Sequence, residues 1–209
     1  SALHPCYGLA EATLFVTAGE PRHGLETLPV DATALPQGRL EIVAGDDPRA
    51  RTLVSCGWPR PPAGVTIVDP ATRRPLGDSA IGEIWLTGPH VAAGYWRRPA
   101  DTAHGLQARL EGSGEPHCRT GDLGFVRDGR LYVVGRIKDV IVRNGVKYHA
   151  EDVEHAVRSA DPTLETAPCA AFGVDDGRQE RLVVAIESRN RKGAAAADLE
   201  GFGALVRER

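Results

Sequence analysis

The chain has 209 residues, of which 42% are hydrophobic and 25% are charged, so it is long enough for one or two globular domains with an ordinary core. Its formal net charge of −3 gives no reason to expect a nucleic acid or an anionic membrane as a partner. No apolar run approaches the length of a membrane span, and we expect a cytoplasmic protein.

Neither the cysteines nor the histidines have the spacing of a metal site. The 4 cysteines lie far apart without a Cys-x-x-Cys pair, so the pattern indicates neither a zinc site nor a disulfide framework. We expect buried, reduced thiols at Cys6, Cys56, Cys118 and Cys169. The 7 histidines are assigned no role, because an isolated histidine is usually a surface or hydrogen-bonded residue.

The first stretch that carries chemistry is Tyr7-Gly8-Leu9-Ala10-Glu11. A tight turn at Gly8 would let the backbone approach a ligand closely, and the ring of Tyr7 could stack on a nucleotide base. Glu11 offers a hard oxygen ligand to a Mg²⁺ ion that bridges phosphates. Taken alone, the motif is also compatible with an amphipathic helix that begins at Glu11.

Residues 18–51 are rich in Gly, Pro and Asp and contain one short apolar patch at 40–43. A stretch of this length between secondary elements is usually functional or partly disordered. The alternative is a variable loop without consequence, because surface loops tolerate insertion.

From residue 64 onward the pattern predicts β-structure. Residues 65–68 form a short strand that Asp69-Pro70 ends, and residues 73–76 form a turn. Residues 82–88 alternate with period two and predict another strand, as do residues 130–134.

An aromatic pair and a short helix are predicted between these strands. Tyr95-Trp96 is interpreted as a pair that anchors packing rather than one that binds a ligand. Asp101-Thr102 can cap a helix that continues through Ala108.

Residues 119–154 predict two hairpins joined by a hinge. Asp128-Gly129 and Asn144-Gly145 are two-residue turn signals flanked by β-branched residues. Between them, residues 135–139 combine a glycine with alternating charges, which makes a poor core segment. Asp122 and Arg136 suit opposite ends of one nucleotide, because a carboxylate can take both ribose hydroxyls and a guanidinium can pair with phosphate oxygens.

The remainder predicts a helix, a strand pair and a final Ala-rich helix from residue 194. The apolar face of the first helix is formed by Val153, Ala156 and Val157. Asp161-Pro162 ends this helix. The strands at 169–174 and 182–186 pair around a turn at 175–177.

Several of these motifs, in this order and spacing, resemble the adenylate-forming superfamily. They are Arg119-Thr120-Gly121-Asp122, Gly135-Arg136-x-Lys138-Asp139-x-Ile141, and YGLAEATL at residues 7–14. The wording of residues 7–14, the long segment at about 18–51 and residues 52–57 are similar to the fatty acyl-AMP ligase branch of that superfamily.

The resemblance implies an α/β (α+β) fold of two domains. Residues 1–137 would be the C-terminal part of the large adenylation domain, with a β-barrel-like subdomain and the insertion at about 18–51. Residues 138–209 would begin the small mobile C-terminal domain, built of β-hairpins and helices. Lys138 would be the hinge that exchanges an adenylating arrangement for a transferring one.

The resemblance also implies an activity. Such an enzyme converts a fatty acid and ATP to an acyl-adenylate and pyrophosphate, and then passes the acyl group to the phosphopantetheine of an acyl carrier protein. Glu11 would bind Mg²⁺, Arg136 the phosphate, and Tyr7, Gly8 and Asp122 the nucleoside. Two alternatives stay open: a fatty acyl-CoA synthetase whose insertion has no effect, and an inactive nucleotide-binding module.

The sequence departs from the family pattern in three places. Ala10 stands where similar proteins usually carry a Thr or Ser whose hydroxyl meets the α-phosphate. The family's Gly/Ser/Thr-rich phosphate loop and its late catalytic Lys do not occur in the sequence. We therefore expect a fragment truncated at both ends that is inactive when isolated.

Overall fold

The computed structural model describes residues 3–21, 24–143, 146–160, 164–175 and 180–187. The chain divides into two compact units, Ser1–Lys138 and Asp139–Arg209. In chain order, the strands of the first unit are β1 (Cys6–Tyr7), β2 (Thr17–Ala18), β3 (Thr27–Asp31), β4 (Ala50–Val54), β5 (Trp58–Pro59), β6 (Gly64–Val68), β7 (Gly82–Thr87), β8 (Ala108–Arg109), β9 (Pro116–Arg127) and β10 (Arg130–Arg136). The helical segments are the 3₁₀ turns Ala10–Ala12 and Leu35–Gln37, α1 (Pro99–Asp101), the π-helical turn Thr102–Leu106, and the 3₁₀ turn Ile137–Asp139 at the boundary between the units.

An antiparallel sheet is the centre of the first unit. Its strand order is β10-β9-β7-β6, and β8 pairs with the beginning of β9. β7 is buried on both faces, because Ile84 and Leu86 belong to one core cluster while Trp85 between them belongs to another. Full burial of an apolar side chain contributes about 1.5–3 kcal/mol, so this strand is a main source of stability. The α+β class is confirmed, and so are the strands predicted at 65–68 and 82–88.

β9 and β10 form the hairpin predicted at Asp128-Gly129. Arg127 pairs with Arg130 across the turn. Asp128 and Gly129 both have positive φ, 51° and 76°, as a two-residue turn that matches the strand twist requires. The hairpin is longer than the sequence predicts, because β10 continues to Arg136.

β9 leaves the regular ladder in the middle of its length. Its pairing with β7 moves from Glu83↔Leu123 to Trp85↔Arg119. Between these two pairs Ile84 stands alone on β7, whereas residues 120–122 lie opposite on β9. Asp122 lies in this bulge inside β9 rather than in a turn between elements.

The first motif is part of a small sheet of order β1-β2-β5. The predicted alternative, a helix from Glu11, is wrong: the segment is a single 3₁₀ turn, after which Thr13 and Leu14 have positive φ. A Cβ on Gly8 would lie 1.7 Å from the carbonyl oxygen of Leu14. The close backbone approach predicted at Gly8 is therefore made to the chain itself.

The stretch predicted to be functional or partly disordered, residues 18–51, is largely folded. From residue 24 onward the structure describes it continuously, and β3 pairs with β4 from Thr27↔Val54 to Asp31↔Ala50. Val30, Leu35 and Leu53 are buried here in one cluster with residues of β9 and β10. The rings of Phe125 and Tyr132 stack in that cluster with their centroids 5.0 Å apart. Burial of these apolar side chains gives the segment order that its Gly and Pro content does not suggest.

The prediction for residues 95–108 is partly wrong. Trp96 is 85% exposed and anchors no core. The helical segment runs from Pro99 to Leu106, so Asp101 and Thr102 lie inside it. The hydroxyl of Thr102 donates to the carbonyl of Arg98 at 2.9 Å, which fixes the entrance of this segment.

The second unit is a small α+β assembly. It contains β11 (Val140–Arg143), β12 (Val146–His149), α2 (Ala150–Ala160), β13 (Cys169–Asp175) and β14 (Glu180–Ile186). β11 pairs with β12, and β13 pairs with β14, which confirms the strands predicted at 169–174 and 182–186. On α2, Val157 is buried and Val153 packs against the core, but Ala156 is exposed. The expectations for Asn144-Gly145, Asp161-Pro162, residues 176–177 and the segment from residue 188 fall outside the described residues.

All 4 cysteines are free, but only Cys118 is buried, so the expectation of buried thiols holds for one of them. Burial raises the pKa of the Cys118 thiol to about 11. Within the described residues, no helix is both long and apolar enough to cross a membrane.

Candidate active site

Asp122 is the centre of a polar group assembled from three strands. Its Oδ2 accepts a hydrogen bond from the Tyr7 hydroxyl at 2.7 Å, and its Oδ1 accepts one from Arg136 Nε at 2.7 Å. Asp122 is only 7% exposed, whereas the Arg136 side chain is 62% exposed. Since Asp122 and Arg136 are direct partners in the β9–β10 ladder, the register of the hairpin brings the two together. The structure thus joins three of the residues predicted for the nucleotide.

The protonation of Tyr7 fixes the direction of its hydrogen bond. Burial, together with the negative charge of Asp122, raises the pKa of Tyr7 well above its ordinary value. The phenol therefore stays protonated near neutral pH and donates to Asp122. A carboxylate oxygen has capacity for more than one hydrogen bond, so Asp122 can still accept from two further hydroxyls. This is the chemistry needed to hold a cis-diol.

Tyr7 itself is largely buried in the core. Only 8% of the residue is exposed, and its ring packs in a core cluster with Val16 and Leu131. The structure therefore gives Tyr7 a contact with Asp122, and its stacking on a base stays a prediction.

Glu11 forms a second polar group with Tyr95. Its Oε1 accepts a hydrogen bond from the Tyr95 hydroxyl at 2.9 Å, and its backbone carbonyl accepts one from the Ala92 amide at 2.8 Å. The pKa of Tyr95 is raised to about 12, mainly by burial and secondarily by the hydrogen bond to Glu11 and the charge of that residue. Sequence reasoning assigned Tyr95 to packing and missed this contact. No local signal could have found it, since the two residues are 84 positions apart.

Glu11 is the residue predicted to bind Mg²⁺, and a carboxylate is a suitable ligand for that ion. The described residues contain no group of three or more His, Cys, Asp or Glu side chains that could hold a metal. Mg²⁺ usually keeps several waters and binds through one or two carboxylates plus substrate phosphates. Glu11 is half-buried and oriented by Tyr95, which suits that role.

A shared core cluster connects the two groups. It contains Tyr7, Cys118 and Ala12, the residue that follows Glu11. The structure therefore brings the Tyr7–Asp122–Arg136 group and the Glu11–Tyr95 group to the same region of the first unit. Lys138 is exposed in the 3₁₀ turn that follows Arg136, and it belongs to neither group.

Comparison with known proteins matches part of the chain to a nucleotide-binding family. Residues 1–96 match the AMP-binding enzyme family. The chain is 42% identical over 189 residues to the medium-chain-fatty-acid–acyl-carrier-protein ligase JamA of Moorena producens. The aligned region covers 89% of the chain and 32% of that protein. It is 37% identical over 203 residues to the long-chain-fatty-acid–AMP ligase FadD26 of Mycobacterium marinum, over 95% of the chain and 34% of the relative.

Among solved structures, the chain is similar to a fatty acyl-adenylate ligase from L. pneumophila in complex with acyl adenylate and pyrophosphate. The TM-score is 0.63 at 36% identity, over 97% of this chain and 35% of that one. The chain thus spans about a third of the length of the proteins it matches.

Proposed function

We propose that the chain belongs to the adenylate-forming superfamily and is part of a fatty acyl-AMP ligase, because residues 1–96 match the AMP-binding enzyme family and the chain is similar to such ligases. The enzyme that carries it converts a fatty acid and ATP to an acyl-adenylate and pyrophosphate. Similarity to a long-chain-fatty-acid–AMP ligase supports the fatty acid as substrate, and similarity to a ligase structure in complex with acyl adenylate and pyrophosphate supports the two products.

The observation that carries the proposal is the Tyr7–Asp122–Arg136 group. Asp122 is buried, and its carboxylate accepts hydrogen bonds from Tyr7 and Arg136. In the proposed complex the carboxylate accepts hydrogen bonds from the two ribose hydroxyls of ATP, which orients the nucleoside rather than changing its reactivity. Arg136 lies beside it with an exposed guanidinium, which suits pairing with phosphate oxygens.

The reaction requires screening of charge, because a fatty-acid carboxylate must attack the α-phosphate of a triphosphate. Arg136 reduces this repulsion and stabilises the charge that develops on the phosphate oxygens. Glu11, held by Tyr95, is the residue that would bind Mg²⁺. When bound, the metal supplies further charge neutralisation at the phosphates.

The acceptor that we propose is the phosphopantetheine of an acyl carrier protein. The support is the relative JamA, which is named for ligation of a medium-chain fatty acid to such a protein. The test offers the enzyme a phosphopantetheinylated carrier protein and free CoA at equal concentrations. Preferential acylation of the carrier protein supports the proposal, whereas efficient formation of acyl-CoA identifies a CoA synthetase.

The proposed role of Asp122 is tested by Asp122→Asn in the complete enzyme. Loss of the charged acceptor should weaken ATP binding by about 1.5–3 kcal/mol for each ribose hydrogen bond affected. Calorimetric titration with ATP measures the effect, and ATP–pyrophosphate exchange measures the activity. Asp78→Asn is the matched control, since Asp78 is an exposed loop residue whose contact is with Ser79. Unchanged ATP affinity in Asp122→Asn contradicts the assignment, and tight ATP binding without exchange in the unaltered enzyme identifies an inactive nucleotide-binding module.

A further inference from the structure

A buried, charged side chain of β7 binds the β9 bulge that contains Asp122. Glu83 is 1% exposed, and its carboxylate receives hydrogen bonds from Arg119 Nη2 at 2.8 Å and from the backbone N–H of Gly121 at 3.2 Å. Arg119 also lies over the ring of Trp85, with its guanidinium carbon 5.5 Å from the ring centroid. Extra residues in a bulge leave the regular ladder, so their N–H groups need other partners. Glu83 supplies such a partner for Gly121, which has a φ of 74°.

Thr120 makes a second connection between the same two strands. Its hydroxyl donates to the backbone carbonyl of Ile84 on β7 at 2.8 Å. The same oxygen accepts from the backbone N–H of Asp122 at 3.0 Å. Thr120 therefore links β7 directly to the backbone of the residue whose carboxylate faces Tyr7 and Arg136.

Stability alone is a poor explanation for a charged pair inside the sheet. A buried ion pair often adds little net stability, because the cost of desolvation offsets the attraction between the charges. Hydrogen bonds donated to a fixed carboxylate do supply direction, and bulges next to active sites commonly re-aim one side chain. Here the side chain that the bulge aims is that of Asp122.

We propose that Glu83 and Thr120 are positioning residues for ATP, which hold the β9 bulge in the one shape that presents the Asp122 carboxylate to the ribose. This inference rests on the proposed function, in which Asp122 binds the two ribose hydroxyls. Glu83 acts through the Gly121 amide and through Arg119, and Thr120 acts through the amide of Asp122. Neither residue needs to touch the nucleotide.

The first test is Thr120→Val in the complete enzyme, which keeps the side-chain shape and removes the hydroxyl. Loss of the two hydrogen bonds should raise the KM for ATP about three- to tenfold, with a smaller change in kcat. The preference for ATP over 2′-deoxy-ATP should fall at the same time, because a misplaced carboxylate no longer distinguishes the two sugars. Thr120→Ser, which restores the hydroxyl, should recover both values. Thr33→Val is the matched control, since it removes a hydroxyl bond to Asp31 in the β3–β4 segment.

The second test is Glu83→Gln, which keeps the acceptor for Gly121 and removes the charge opposite Arg119. The KM for ATP should again rise and the sugar preference fall. Circular dichroism and the urea midpoint establish that each variant is folded, and Thr120→Val decides the matter if Glu83→Gln does not fold.

The outcomes separate this inference from the function on which it rests. If Asp122→Asn loses ATP affinity while folded Thr120→Val and Glu83→Gln keep both the KM and the sugar preference, the positioning role is overturned. Loss of kcat alone, with the sugar preference intact, also overturns it, because that pattern indicates a general structural defect. If Asp122→Asn itself has no effect, the proposed function has failed instead.

Discussion

Gly8 shows how one residue without a side chain sets the position of the next functional group. The backbone at Gly8 runs so close to the Leu14 carbonyl that a Cβ would overlap it. The turn from Glu11 to Leu14 closes against this point, and Val16 N donates to the Tyr7 carbonyl at 3.0 Å. Since Tyr7 directly precedes Gly8, the same close approach holds the phenol toward Asp122.

We predict that Gly8→Ala destabilises the protein by about 3 kcal/mol, because the added methyl group forces backbone atoms apart. Gly77→Ala is the control, as a Cβ there meets nothing within 4 Å and the φ of Gly77 lies outside the positive range. It should change the free energy of unfolding by less than about 0.5 kcal/mol. Urea denaturation of both variants measures the difference, and equal stabilities would show that the turn relaxes around the new side chain.

β3 and β4 pack against β10, the strand that ends at Arg136. On one face Tyr132 and Val134 pack against β3 and β4, and Arg51 donates to the carbonyl of Val134 at 3.2 Å. At its end β10 passes into the 3₁₀ turn Ile137–Asp139, whose residues lie outside the core clusters. The transition from a packed strand to an exposed turn falls at Lys138, where we propose the hinge.

We predict that Lys138→Pro in the complete enzyme spares acyl-adenylate formation more than acyl transfer to the carrier protein. Proline fixes φ near −65° and removes a backbone donor, so rotation at this position is restricted. In the proposed mechanism, adenylation needs one domain arrangement and transfer needs a second. Lys138→Ala is the control, because it removes the side chain and leaves the backbone free to rotate. Pyrophosphate exchange and single-turnover transfer measure the two half-reactions, and equal losses in Lys138→Pro would assign Lys138 to substrate contact.

At the scale of the whole molecule, the buried acids Cys118 and Tyr7 make stability depend on pH, because folding favours their neutral forms. Burial raises the pKa of Cys118 from 9.0 to about 11 and also raises that of Tyr7. For such groups the stabilising contribution is complete below the pKa of the unfolded chain and is lost as the pH rises through the pKa of the folded one. Alkaline conditions therefore act on the same region that contains Asp122 and Glu11.

We predict that stability falls between about pH 9 and 11, and that Cys118→Ala makes this part of the pH profile flatter while lowering stability at pH 7. The midpoint of urea unfolding, measured at intervals of half a pH unit, gives the profile. Cys6→Ala is the control, since Cys6 is exposed and its removal should leave the slope unchanged. A slope in Cys118→Ala as steep as that of the unaltered protein would place the alkaline transition elsewhere.

Sequence reasoning succeeded where the physical cause is local. Asp128-Gly129 predicted its hairpin because these two residues tolerate the positive φ of a two-residue turn. The alternation of side chains in residues 82–88 is also a local signal, and it predicted β7. The bulge at residues 120–122 could not be predicted, because it depends on a side chain of another strand, Glu83, that enters the ladder.

The candidate site shows the same division. Tyr7, Asp122 and Arg136 were predicted for one nucleotide from their chemistry, and the structure brings them together. Their roles remain a proposal. The contact of Tyr95 with Glu11 joins segments that are distant in sequence, and the order of residues 24–51 comes from burial against β9 and β10. Neither of these long-range contacts can be predicted from the local sequence pattern.

The hydrogen bond between Tyr7 and Asp122 also bears on how the protein folds. It joins residues 115 positions apart, and the ladder between β9 and β10 must form before Asp122 meets Arg136. Contacts of such long sequence separation require closure of a large loop, which slows folding and delays the contact relative to local hairpins. The hairpin around Asp128-Gly129 can therefore form early, while the Tyr7–Asp122–Arg136 group is completed only after the intervening chain is in place. Binding of ATP would then act as a reporter of the last stage of folding rather than as a template for the first.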